Sequence, residues 1–131
     1  MLYFASKKID TQNYTNSIKN SWIAVDTVVL SDEKLLFEAD YLLHPDKKNE
    51  TIEAKRRRWI CYLYLNTIST VYNGIKHNLI ADRKAANDSL IKSLEGLTRH
   101  PEFMEMSEYF YEDGLTDLCR ELYAKNQSKH R

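Results

Sequence analysis

The sequence predicts an all-α fold, a mainly antiparallel bundle of five to six helices around a long central helix at about residues 50–77. Three observations lead to this prediction. The chain of 131 residues has only three glycines and two prolines, so it is poor in residues that break helices or form tight hairpin turns. Apolar residues recur at spacings of three and four, the period of an α-helix. Hydrophobic residues make up 43% and charged residues 29%, and the length fits one globular domain spanning 1–131.

The first two helices are predicted over about residues 10–29 and 32–43. In the first helix, apolar side chains at helical spacing share one stripe that we expect to face the core, namely Ile18, Trp22, Val25 and Val29. Ser31 is placed to cap the second helix, which has acidic residues in its first turn, where the helix dipole favours negative charge. The second helix ends before Pro45, because a residue that precedes proline is driven out of helical geometry.

The central helix is predicted over 50–77 from its broad apolar and aromatic face. At 1.5 Å per residue it would be about 40 Å long, so we expect the shorter helices to pack on it. A fourth helix is predicted over 82–97, and Pro101 is placed as the first residue of a fifth that ends before Gly114. A last helix follows, and residues 126–131 are expected to fray.

Four consecutive basic residues, 55–58, lie near the start of the central helix. Because successive helical residues are rotated by about 100°, these side chains cannot all contact one phosphate backbone. Arg56 lies four residues from an isoleucine on either side, on the predicted apolar stripe, so its charge needs a carboxylate from a neighbouring helix. Asp40 and Glu38 are the candidate partners. We favour this structural ion pair over the alternative of a nucleic-acid-binding helical module that uses the 55–58 run.

The fifth predicted helix is rich in carboxylates that are candidates for an interaction surface: Glu102, Glu105, Glu108, Glu112 and Asp113. Their spacing places several on one helix face, but no histidine stands in register to complete a metal centre. A face of this charge suits a basic partner. It raises a second alternative, an immunity or antitoxin-like protein that covers a toxin with its 102–113 face.

No set of side chains with a catalytic or metal-binding spacing occurs in the sequence. The four histidines fall at predicted loops or helix ends, never four residues apart as a metal-binding pair on a helix would be. Neither a glycine-rich phosphate loop nor a nucleophile elbow is present. Nineteen basic and nineteen acidic side chains balance, which argues against a protein that binds nucleic acid. We therefore predict no enzymatic activity, no cofactor and no metal.

The two cysteines, Cys61 and Cys119, lie within apolar patterns and form no CxxC pair, so we expect reduced thiols in a cytoplasmic domain. No apolar stretch of the sequence is long enough to span a bilayer. The first residues, MLYFASKK, place apolar side chains before two lysines, as at the inner end of a membrane anchor. We interpret residues 1–9 as a juxtamembrane stub.

Three segments, SWIAVDTVVLSDEKLLFEAD, RRRWICYLYLNTISTVYNG and GLTRHPEFMEMSEYF, resemble in this order a family of uncharacterised bacterial proteins. In that family a membrane anchor precedes a soluble all-helical domain. The resemblance implies a domain on the cytoplasmic side of the inner membrane, held there only through a segment missing from this chain, and it implies no catalytic residue. We accordingly predict a non-enzymatic helical interaction or regulatory domain that binds a protein partner or associates with itself.

Overall fold

The computed structural model describes residues 17–108 and 114–129. The first helix, α1, is helical from residue 17 to residue 30. The chain continues through α2 (Glu33–Leu43), a short 3-10 helix (Pro45–Lys47), α3 (Ile52–Lys76), α4 (Arg83–Leu97), α5 (Pro101–Ser107) and α6 (Leu115–Lys129). The described residues contain six α-helices and no strand, so the predicted all-α fold is confirmed. The longest helix, α3, falls within the predicted central helix, and the predicted stub at 1–9 lies outside the described residues.

Contacts between Cα atoms divide the chain into two compact units, residues 1–70 and 71–131, with the boundary inside α3. The prediction of a single domain stays a prediction. In the first unit, Val29, Leu36 and Trp59 form a hydrophobic core to which α1, α2 and α3 each contribute one side chain. In the second unit, α4 and α5 both pack against α6. Its buried apolar side chains are Ile75, Leu90, Leu94, Phe103, Met106, Leu115, Cys119 and Leu122.

Short polar side chains begin two of the helices. The Asp32 carboxylate accepts a hydrogen bond from the Leu35 backbone amide at 3.0 Å, and Asp82 does the same for Ala85 at 3.0 Å. Ser31, which the sequence predicted as the cap of α2, instead donates its hydroxyl proton to the Val28 carbonyl at 2.6 Å. The cap falls on Asp32 because that residue has the extended backbone an N-cap requires, with φ −140° and ψ 122°.

The predicted fraying of residues 126–131 stays a prediction, and the structure describes residues 126–129 as the last part of α6. The helix α6 continues to Lys129. Asn126 is buried, and its amide donates to the Glu95 carbonyl at 3.2 Å and to the Thr98 hydroxyl at 3.4 Å. These bonds to α4 and its C-terminal cap hold the end of α6, because a buried amide that lost them would remain unpaired.

Two glycines of the second unit should respond oppositely to alanine. Gly114 has a φ of +94°, and a Cβ atom there would clash with the Tyr72 hydroxyl, so Gly114→Ala should cost about 1–3 kcal/mol of unfolding free energy. Gly96, inside α4, has no atom within 4 Å of its Cβ position, so Gly96→Ala should gain about 0.5–1 kcal/mol. Urea denaturation of both variants checks the pair. Equal effects of the two substitutions would contradict the backbone assignment at Gly114.

Candidate functional site

A cluster of charged side chains is buried in the first unit around Asp40. This carboxylate has no exposed surface, and it accepts hydrogen bonds from Arg58 at 2.6 Å, from Lys55 at 3.1 Å and from the Trp59 indole at 3.1 Å. The three donors stand at spacings of three and four on α3, so one face of α3 meets one residue of α2. Burial opposes ionisation of Asp40, but the hydrogen bonds from Arg58, Lys55 and Trp59 outweigh it and hold its pKa below the ordinary value.

The remaining donors of the cluster also have partners. Lys55 is 1% exposed, donates to the Lys47 carbonyl at 2.8 Å and lies 5.3 Å from the centre of the Phe37 ring, in cation–π contact. Arg58 forms a second ion pair with Glu50. Two carboxylates therefore balance two cations. A cluster neutralised from within has structural value, because a buried charge without a partner would cost several kcal/mol.

The predicted ion pair was correct in its carboxylate, Asp40, but wrong in its cation, Arg56. Arg56 forms no ion pair with Asp40 or Glu38 in the part of the chain that the structure describes. The buried stripe of α3 passes through Lys55 and Arg58, whereas Ile60, taken from the sequence as part of the apolar stripe with Arg56, is 37% exposed. Rotation of about 100° per residue then turns Arg56 away from α2.

A histidine and two aromatic rings adjoin the cluster. His44 Nε2 lies 2.7 Å from the Tyr62 hydroxyl, and the two rings stack with centroids 6.2 Å apart. The Tyr62 ring in turn meets the Trp59 ring edge to face at 5.6 Å. Burial, and then the positive charge of Arg58, lowers the pKa of His44. At this side of the cluster, the neutral His44 imidazole therefore packs against the Tyr62 ring and shares one hydrogen bond with its hydroxyl.

A second polar layer joins α1 to α3. The Lys19 ammonium donates to the Ser69 hydroxyl, and the Asn66 amide donates to the Asp26 carboxylate at 3.2 Å. All four side chains are buried. Burial lowers the pKa of Lys19 to about 8 and raises the pKa of Asp26. A lysine of lowered pKa beside a serine can activate a nucleophile, but Ser69 has no exposed surface through which a substrate would reach it.

Lys19 should make the unfolding free energy of the protein rise with pH in the alkaline range. The Lys19 pKa is about 8 in the folded chain against 10.5 in the unfolded one, so between these values the unfolded state binds more protons and stability rises with pH. Relative to Lys19→Met, wild-type stability should rise by about 3 kcal/mol across this range. Denaturation of both proteins at a series of pH values checks it. Parallel curves would contradict a perturbed Lys19.

Because Lys19 and Asp26 are buried, the described part of α1 presents an uncharged surface that includes several apolar side chains. The stripe predicted to be core is exposed instead: Ile18 by 43%, Trp22 by 51% and Val25 by 45%. Of that stripe Val29 is buried. The prediction failed because α1 buries the polar face that carries Lys19 and Asp26, about a quarter turn away.

The helix α2 also exposes apolar side chains on both sides of its buried face. These are Leu35, Phe37, Tyr41, Leu42 and Leu43. An open groove beside α2 combines the Phe37 ring and Ile52 with the charged side chains of Glu33, Lys34 and Glu50. The first unit therefore has apolar surface on two successive helices.

The predicted acidic surface is present only in part. Glu102, Glu105 and Glu108 are exposed on α5 and at its end, and Glu112 and Asp113 lie outside the described residues. Arg120 of α6 pairs with Glu108, with Nε 3.0 Å from Oε1, and this hydrogen bond lowers the Glu108 pKa. A carboxylate already paired within the chain is less suited to recruit a basic partner.

The basic run is divided between interior and surface. Lys55 and Arg58 are buried and paired, so neither can reach a phosphate backbone. Of the four residues that the nucleic-acid alternative would use, this leaves Arg56 and Arg57. Within the described residues, no three histidine, cysteine or acidic side chains are grouped so as to hold a metal ion. No described helix is both long and apolar enough to cross a membrane.

The arrangement defines a small all-α protein whose first unit combines a hydrophobic core with buried charged side chains that join its helices, and exposes apolar side chains on α1 and α2. Comparison of the chain with protein-family models, with curated proteins and with solved structures found no match. The exposed apolar surface of the first unit, rather than the buried cluster, is the candidate functional site.

Proposed function

We propose that this chain is a non-enzymatic helical interaction domain that contacts a protein partner through its first unit. One observation supports the proposal above the others. Of twelve large hydrophobic side chains exposed among the described residues, eleven lie in the first unit and only Leu79 lies in the second. The eleven are Ile18, Trp22, Val25, Val28, Leu35, Phe37, Tyr41, Leu42, Leu43, Ile60 and Tyr64.

Such a concentration favours a binding surface. Single exposed hydrophobic residues are common on any protein, but an apolar face that continues along a helix marks contact with another molecule. On α1 the exposed residues Ile18, Trp22 and Val25 are four and three apart and so adjoin one another. Trp22 adds a residue type that is enriched among the energetically dominant residues of protein interfaces.

The polar groups of the first unit support a binding role over catalysis. Asp40 is engaged by Arg58 and Lys55, and the Lys19 ammonium by Ser69, all at buried positions. Groups engaged in this way hold the described helices together and are themselves not available to a substrate. The tethering to the inner face of a bacterial membrane that the resemblance implies belongs to the same proposal, since a tether concentrates weak binding partners.

Photo-crosslinking in cells of the source organism tests the proposal. A benzoylphenylalanine residue replacing Trp22 should give one discrete adduct whose partner mass spectrometry identifies, and the two purified proteins should reproduce that adduct. The matched control replaces Lys92, an exposed residue of α4 in the second unit, and should give none. The absence of any adduct specific to position 22 would refute the proposed function.

A further inference from the structure

We propose that the partner of the α1 surface is a second copy of this chain, bound through antiparallel pairing of the two α1 helices. The inference rests on the proposed function and names its partner. Its evidence is the charge and the shape of the outer surface of α1.

The exposed surface of α1 carries no formal charge in its described part. The only charged residues between 17 and 30, Lys19 and Asp26, are both buried. Every other described helix exposes charged side chains, such as Glu38 on α2, Arg57 on α3 and Lys84 on α4. The exposed residues of α1 are Ser17, Ile18, Asn20, Ser21, Trp22, Ala24, Val25, Thr27 and Val28.

Absence of charge suits self-association better than the alternatives. A two-fold interface places a surface against its own copy, so each charge near the axis would meet its like, and a neutral face avoids that repulsion. A charged partner would instead require opposite charges on α1. A helix lying on a membrane surface carries lysines and arginines on its polar face, whereas Lys19, the one lysine in the described part of α1, is buried against Ser69.

Side-chain sizes favour the antiparallel orientation. A two-fold axis at residue 23 places Val25 of each copy beside Ser21 of the other, and Ile18 beside Val28, all of them exposed. The larger Val25 side chain thus meets a small one, as knobs-into-holes packing requires. Parallel pairing would place Ser21 against Ser21 and leave a gap between them.

The size of the face sets the expected strength. Residues 17–30 form a helix about 20 Å long at 1.5 Å per residue, which buries less than the roughly 800 Å² per partner of a standard interface. We therefore expect a dimer with a dissociation constant on the order of micromolar.

Sedimentation velocity of the purified chain over a concentration series measures this dimer. Wild type should pass from monomer to dimer, and Trp22→Glu should weaken the dimer at least tenfold while leaving the circular dichroism melting curve in place. Leu79→Glu is the matched control, since Leu79 is 45% exposed against 51% for Trp22 but lies in the second unit, and it should leave the dimer unchanged. A wild-type chain that stays monomeric throughout, or equal weakening by both variants, would overturn the inference.

Disulfide trapping tests the orientation. In a Cys61→Ser background, Ala24→Cys should cross-link readily, because residue 24 lies next to the proposed axis. Ser17→Cys should not, because the two copies of residue 17 would stand about 18 Å apart along the helices, beyond the roughly 7 Å reach of a disulfide. Cys119 should stay silent, since it has no exposed surface and burial raises its pKa to about 11. Equal cross-linking at 17 and 24 would indicate parallel pairing and overturn the antiparallel assignment.

The two experiments separate the inference from the proposed function. If the chain is monomeric and position 22 cross-links in cells to a different, identified protein, the second copy is not the partner, and the proposed interaction domain is supported. A monomeric chain with no adduct would end both. A monomeric chain that floats with anionic vesicles, and loses this binding in Trp22→Glu, would assign the face to a membrane and overturn the inference.

Discussion

Replacement of Asp40 by alanine is expected to cost about 3–5 kcal/mol of unfolding free energy, a large part of the stability of a small domain. The substitution removes the one carboxylate that contacts both Lys55 and Arg58, which are 1% and 9% exposed. It also leaves the Trp59 indole N–H without the acceptor now 3.1 Å away. Arg58 keeps Glu50, but Lys55 keeps only the Lys47 carbonyl and the Phe37 ring, so a nearly enclosed ammonium loses its counter-charge.

Urea denaturation measures this loss against a matched control. Glu38→Ala removes a carboxylate from the same helix, but Glu38 is exposed, so its effect should stay within about 0.5 kcal/mol. The contrast also separates Asp40 from the other partner that the sequence suggested. If the two substitutions have similar small effects, the charge cluster does not hold α2 to α3.

The helices themselves could be predicted from the sequence because their signals are local. The helix α5 begins at Pro101, as predicted, and α2 ends at Leu43, two residues before Pro45. The central helix, predicted over 50–77, is observed at Ile52–Lys76. Proline geometry, capping and apolar period all act within a few residues, so they fix where a helix begins and ends.

The rotation of α1 and α3 could not be predicted, because it depends on partners distant in the sequence. Apolar periodicity placed Trp22 in the core, whereas polar residues at helical spacings fill much of the buried face of α3: Lys55, Arg58, Asn66, Ser69 and Asn73. A polar stripe is stable inside only when another helix supplies matching groups, as Asp26 does for Asn66 and Asp40 for Arg58. The carboxylates of Asp26 and Asp40 were the available signal, and of these two only Asp40 was recognised from the sequence as a partner.

The cluster around Asp40 should be replaceable as a whole, although none of its members is replaceable alone. The triple substitution Asp40→Leu, Lys55→Met and Arg58→Met removes both cations together with Asp40. Glu50 then loses Arg58, but the Glu50 side chain is 35% exposed and stays in contact with water. Apolar residues of similar volume often match or exceed a buried ion network in stability. The triple variant should recover about 3 kcal/mol of the free energy that Asp40→Ala loses, as measured by the same denaturation.

The Trp59 N–H gives this prediction an internal check. It loses its acceptor in the triple variant, which should leave a residual cost of about 1–3 kcal/mol for an unpaired buried donor. Trp59→Phe removes this donor, so adding it to the triple variant should leave the unfolding free energy nearly unchanged. In the wild type, Trp59→Phe also breaks the hydrogen bond to the ionised Asp40 carboxylate. A triple variant that folds and still dimerises through α1 would support a structural role for the charges, with binding carried by the apolar surface. A triple variant that folds with wild-type stability but no longer dimerises would instead assign the cluster a part in binding.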